Sequence, residues 1–161
     1  MPGGSAKRVG VFTRASLADI EAATRLASLD YVQLHGGQSA TFCRAAGPER
    51  VIKVFWPERH SRASLEAKLA AFAPHCAYFL FDAGKGGGGS GKTFAWEMLR
   101  DMAIPRPWFL AGGIGPDNAD TAVAACSPWG LDINSGVEMS PGVKDAEKIR
   151  SITHKSIVQN R

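Results

Sequence analysis

Six short runs of β-branched and aromatic residues recur along the chain at near-constant spacing, and this repeat decides the fold class. They occupy residues 9–12, 31–34, 51–55, 78–81, 108–111 and 130–133, with starts 20–30 residues apart. That interval is the length of a strand, a turn, a helix and a turn, the unit of a parallel sheet. The stretches between the runs carry helix signals. Ser16 stands as a cap before Asp19-Ile-Glu-Ala-Ala-Thr-Arg-Leu-Ala, and residues 38–46 form a shorter candidate. In residues 64–72, Leu65, Leu69 and Phe72 share one face. Thr93 can cap a helix bearing Met98, Leu99 and Met102; Asp117 or Asn118 can cap residues 119–125; residues 145–152 close the chain. Six strands alternating with six helices predict an α/β fold in one domain spanning residues 1–161.

Composition narrows the function classes. The net charge is +4, but Lys and Arg are dispersed, without the basic cluster that nucleic-acid binding requires. No apolar run approaches the length of a membrane-spanning helix, and the first eight residues lack the apolar segment of a secretion signal. A cytoplasmic location is therefore expected. Cys43, Cys76 and Cys126 are few and scattered, which fits reduced thiols, and no pair has zinc-ligand spacing. Neither a metal nor a cofactor is expected.

The turns after the runs point to a ligand site. His35-Gly-Gly, Asp82-Ala-Gly, Gly112-Gly-Ile-Gly and Asn134-Ser-Gly all fall at the carboxyl ends of predicted strands. Parallel α/β proteins bind ligands at those ends, where small residues admit a ligand to the backbone. The last two turns, with Gly112, Gly113, Ser135 and Gly136, offer backbone N–H groups and a hydroxyl to one anion from adjacent strands, the arrangement of a barrel phosphate site.

One string competes with this reading. Residues 86–93 are Gly-Gly-Gly-Gly-Ser-Gly-Lys-Thr and satisfy the nucleotide-binding pattern G-x-x-x-x-G-K-[ST]. In such a loop the strand runs directly into the first glycine, whereas here Asp82-Ala-Gly-Lys intervenes. The partner Asp expected to hold magnesium at a second strand end has only Asp132 as a candidate, and Asp132 lies inside its run. The alternative is a flexible loop at Gly88, Gly89, Ser90 and Gly91, in which glycine supplies freedom rather than phosphate geometry.

With these motifs in order, the chain resembles the phosphoribosylanthranilate isomerase family of tryptophan biosynthesis. The resemblance is carried by Val9-Gly-Val-Phe, Asp30-Tyr-Val-Gln-Leu-His-Gly, Phe81-Asp82, Gly88-Gly-Ser-Gly-Lys-Thr-Phe-Ala-Trp96, Leu110-Ala-Gly-Gly-Ile and Leu131-Asp-Ile-Asn-Ser-Gly-Val-Glu-Met-Ser-Pro-Gly-Val-Lys-Asp145. It implies a (β/α)8 TIM-barrel fold of which this chain holds six units, the family's third to eighth. It also implies an Amadori rearrangement of a small phosphorylated substrate, N-(5-phosphoribosyl)anthranilate. Asp82 then matches the general acid, Asp132 and His35 match ligand-proximal positions, and the glycine string becomes the loop after the family's sixth strand. Asn134 stands where the family usually has Ser.

Two departures shape the expectations. The family's first strand carries Lys-x-Cys-Gly, whose Cys is the general base, and no cysteine here stands at a predicted strand's carboxyl end. Losing a base costs on the order of 10²–10⁴ in rate, so the chain by itself is expected to be a poor catalyst or a non-catalytic phosphate-binding module. Six strands also leave residues 9–12 and 130–133 as sheet edges open to self-association.

Overall fold

The structure is a computed structural model and describes residues 6–82 and 96–154. Six strands make one parallel sheet in chain order: β1 (Val9–Phe12), β2 (Tyr31–Leu34), β3 (Val51–Phe55), β4 (Tyr78–Asp82), β5 (Trp108–Ala111) and β6 (Gly130–Leu131). The alternation read from the sequence is thus the observed topology. Among the described residues β1 and β6 each pair on one side only, as expected of edges.

Four of the helices start where short polar side chains intercept free amides. Ser16 and Asp19 form a reciprocal capping box at the head of α1 (Leu17–Ala27). Ser39 caps α2 (Ala40–Ala46), and Ser61 caps α3 (Arg62–Phe72), which begins two residues earlier than residue 64. Next come α4 (Glu97–Arg100), α5 (Ala119–Cys126) and α6 (Ala146–His154), the last headed by Asp145, whose carboxylate accepts from the amides of Glu147 and Lys148. The proposed cap at Thr93 and the loop residues Gly88, Gly89, Ser90 and Gly91 lie outside the described residues.

The period of two in each strand sorts side chains onto two faces. Val32, Leu34, Val51, Phe55, Phe79, Phe81, Trp108 and Leu110 enter the core between sheet and helices. Ile52, Val54, Leu80 and Ala111 form a second cluster on the concave face, with Tyr31, Tyr78 and Phe109 packed against it. By this alternation Phe79 and Phe81 point to the helix side, whereas Tyr78 and Leu80 share the face of Asp82.

Two further differences concern the end of the chain. β6 closes at Leu131, not residue 133, because β5, its sole neighbour among the described residues, leaves the sheet at Gly112, where φ is +100°. A small antiparallel hairpin, β7 (Glu138–Ser140) and β8 (Val143–Lys144), comes after β6. Lys144 Nζ donates to the backbone and side-chain oxygens of Asn134 and to Glu138 Oε1, so the hairpin props the turn beyond β6.

Candidate active site

Side-chain alternation and parallel register together build the site. Gln33 of β2 and His35, one residue beyond its end, succeed one another on the concave face, and Asp82 is the last residue of β4, in register with Ala111 of β5. The strand ends enclose a cleft of about 790 Å³ whose lining includes Gln33, His35, Asp82, Gly112, Asp132 and Ser135. Gly113 and Asn134 also line it. Gly136 does not; its backbone lies against the turn after β5.

His35 and Asp82 meet directly. His35 Nε2 is 3.3 Å from Asp82 Oδ2, with the two side chains 30% and 19% exposed, so the contact is partly shielded yet open to a ligand. The imidazole also stands edge-on to Trp56, with ring centres 5.4 Å apart. Asp132 completes the group from the β6 turn. Burial pushes its carboxyl above the ordinary carboxylate range, the charge of Asp82 pushes it further, and His35 works in the opposite direction. A carboxyl that keeps its proton unusually well therefore sits beside the candidate acid.

The turn after β5 is shaped by backbone geometry. Gly112 and Gly113 have φ of +100° and +67°, a region that side-chain-bearing residues rarely adopt, so glycine is favoured at both. Asn118 Oδ1 accepts from the Gly115 amide at 2.9 Å, and its Nδ2 donates to Gly113 O at 3.0 Å. Asn118 thus fastens the glycine turn instead of capping α5 with its side chain, the role foreseen for it.

Two contributors escape a reading of the sequence: Gln33, 9% exposed, and Trp56 against His35. The available signal is a polar residue inside an apolar run, Tyr31-Val-Gln-Leu and Val51-Ile-Lys-Val-Phe, where burial demands a reason. The three cysteines lie away from the cleft: Cys43 in α2, Cys126 in α5, and Cys76 ahead of β4, all buried.

The family model for N-(5'-phosphoribosyl)anthranilate (PRA) isomerase matches residues 2–155. The chain belongs to this family. A PRA isomerase of Maridesulfovibrio salexigens is 47% identical over 145 residues, covering 89% of this chain and 71% of that protein. One of Desulfovibrio desulfuricans is 48% identical over 147 residues, covering 91% and 70%. Among solved structures, the PRA isomerase of Thermotoga maritima superposes with a TM-score of 0.77 at 33% identity, over 91% of this chain and 71% of that one. A PRA isomerase in complex with reduced 1-(o-carboxyphenylamino)-1-deoxyribulose 5-phosphate gives 0.72 at 30% identity, over 90% and 68%. The curved parallel sheet is thus that of the family barrel, and the glycine string belongs to an isomerase sequence.

The Asp132 environment gives a pH-dependent expectation. Its folded-state pKa is raised, so the folded chain holds this proton more tightly than the unfolded chain does. Its stabilising contribution is full below the ordinary Asp pKa and is lost as pH rises through the folded value. Asp132→Asn keeps the shape without the charge. Calorimetry is expected to show a Tm above that of wild type at pH 7, where the substitution removes a buried charge beside Asp82. At about pH 3, where the carboxyl is neutral anyway, the two proteins should melt together.

Proposed function

We propose that this chain binds N-(5-phosphoribosyl)anthranilate across the strand ends and that Asp82 protonates its furanose ring oxygen. The observation that carries the reading is the 3.3 Å contact of His35 Nε2 with Asp82 Oδ2 at the mouth of a cleft lined by Gly112, Gly113 and Ser135. The substrate phosphate sits on the backbone amides of the β5 and β6 turns. Proton transfer from Asp82 to the ring oxygen lets the C1′–O bond break, and the anilino nitrogen's lone pair forms the Schiff base. His35 then donates to the carboxylate left behind, and Asp132 accepts from a sugar hydroxyl. A base must next remove the C2′ proton to give the enamine, which tautomerises to the aminoketose.

No cysteine stands at a strand's carboxyl end among the described residues, so turnover by the 161-residue chain on its own is expected to fall on the order of 10²–10⁴ below that of a complete acid–base pair. The same reading places the protein in the cytoplasm, with no nucleic-acid or membrane partner, and gives the β1 and β6 edges a capacity for self-association.

Thermal melts with inorganic phosphate and with the reduced product analogue test the reading. A ligand at about a hundredfold excess over its Kd should stabilise the chain by about 2.7 kcal/mol. Magnesium and ATP should leave Tm unchanged; a shift with ATP that Lys92→Ala removes would instead establish a nucleotide loop. Absence of any shift with phosphate or the analogue would sink the proposal.

A further inference from the structure

Lys53 is the one lysine among the buried residues described, 3% exposed in the middle of β3. By alternation it points to the helix side, away from the cleft. Among the described residues it forms no ion pair with a carboxylate. Its ammonium instead donates to three backbone carbonyls: Gly36 O at 2.7 Å, Leu34 O at 3.2 Å and Val54 O at 3.2 Å. An ammonium has three hydrogens, so the set is saturated.

Those carbonyls are not arbitrary. Leu34 and Gly36 are the residues on either side of His35. The His35 amide donates to Phe12 O at 2.8 Å, and Gly36 lies so close to the end of β1 that a Cβ there would collide with Thr13 O. The backbone of His35 is therefore gripped by Lys53 on both flanks and by β1 at its own amide, while its ring is set between Trp56 and Asp82.

We propose that Lys53 is a positioning residue that fixes the His35 imidazole against Asp82 by clamping the two carbonyls flanking His35. The proposal rests on the roles assigned above to His35 and Asp82. Burying an ammonium is costly where no carboxylate compensates it, and a hydrophobic residue would pack the same space at lower cost. Retaining the charge makes sense if the three-way clamp is what matters.

The clamp has a pH limit. Burial pulls the Lys53 pKa down from 10.5 to about 8; the thiols of Cys43 on α2 and Cys76 ahead of β4 oppose this, and Lys68 on α3 adds to it. A neutral amine has two hydrogens, so above that point one of the three carbonyls loses its donor.

Histidine-ring and amide NMR of wild type and Lys53→Met, titrated from neutral to alkaline pH, tests the clamp. In wild type, the His35 ring signal and the Gly36 and Gly37 amides should show a step centred near pH 8, the point where Lys53 deprotonates. Lys53→Met should lack the step and displace the His35 ring signal by more than the His75 signal moves. Its affinity for the reduced product analogue should fall about tenfold, with inorganic phosphate affinity held within about twofold. Lys53→Arg, charged throughout, should remove the step while still folding around a cation. An unmoved His35 signal in folded Lys53→Met, or a flat wild-type titration, would overturn the proposal. Should Lys53→Met fail to fold, the wild-type step decides alone. If phosphate and analogue bind neither protein, the functional reading falls, while the NMR arm still judges the clamp.

Discussion

Asp82→Asn is expected to abolish the residual conversion of N-(5-phosphoribosyl)anthranilate, lowering it by a further factor on the order of 10²–10⁴, the value of a positioned general acid. The substitution keeps size and removes only the transferable proton. Asn can still accept a hydrogen bond from His35 Nε2, so the contact now measured at 3.3 Å has a neutral replacement. Affinity for the reduced product analogue should therefore stay within about threefold of wild type, since phosphate contacts and cleft shape are untouched. The assay is a long incubation with enzyme in excess over substrate, monitoring loss of substrate and appearance of the aminoketose. Conversion by Asp82→Asn equal to wild type would show that ring opening does not use this carboxyl. A variant that loses analogue binding as well would show that Asp82 holds the ligand and does not only protonate it.

That prediction depends on a pair of carboxyls whose arrangement is only half visible in the sequence. Asp82 is legible because it ends a strand, and strand ends are where parallel sheets act. His35 is legible for the same reason, together with Gly112, Gly113 and Ser135, whereas Asp132, inside the run 130–133, is picked out only by the family resemblance. The neighbourhood is not. Residues adjacent in sequence on a strand face opposite ways, so Phe79 and Phe81, close to Asp82 in the chain, are remote from its side chain. The groups that matter come from β2 and from the β6 turn, 47 and 50 positions away. Only the register of the sheet brings them together. The hairpin of β7 and β8 escapes notice because strands of two and three residues carry too little pattern to separate from a loop. Lys53 is hidden by the opposite error: one polar residue within Val51-Ile-Lys-Val-Phe reads as tolerance, whereas its 3% exposure shows that the charge is fully enclosed.

Gly136→Ala is expected to produce the largest structural effect of a single methyl group. A Cβ at that position would collide with Ile114 O, and it would lie 2.5 Å from Ile114 C and 2.9 Å from Gly115 N. All three are backbone atoms, so no side chain can swing aside and one turn must retreat from the other. Inserting atoms where nothing can yield typically costs about 1–3 kcal/mol or more, and here about 3 kcal/mol is expected, read as a Tm loss of about 6–12 °C. The same contact seen from the other side limits Gly115, whose Cβ would meet Gly136 O at 2.7 Å. Both substitutions break one interface, so the double variant Gly115→Ala/Gly136→Ala should cost clearly less than the sum of the singles. Gly37→Ala supplies the control: a Cβ there meets nothing within 4 Å, and its Tm should match wild type closely. On the proposed reading, in which the amides of the β5 and β6 turns share one phosphate, phosphate stabilisation should vanish in Gly136→Ala even well below its lowered Tm. A variant that lost stability yet kept full phosphate affinity would separate the contact from the site. In that case the turns would bind anions independently, and the convergence of two strands on a single phosphate would have to be abandoned.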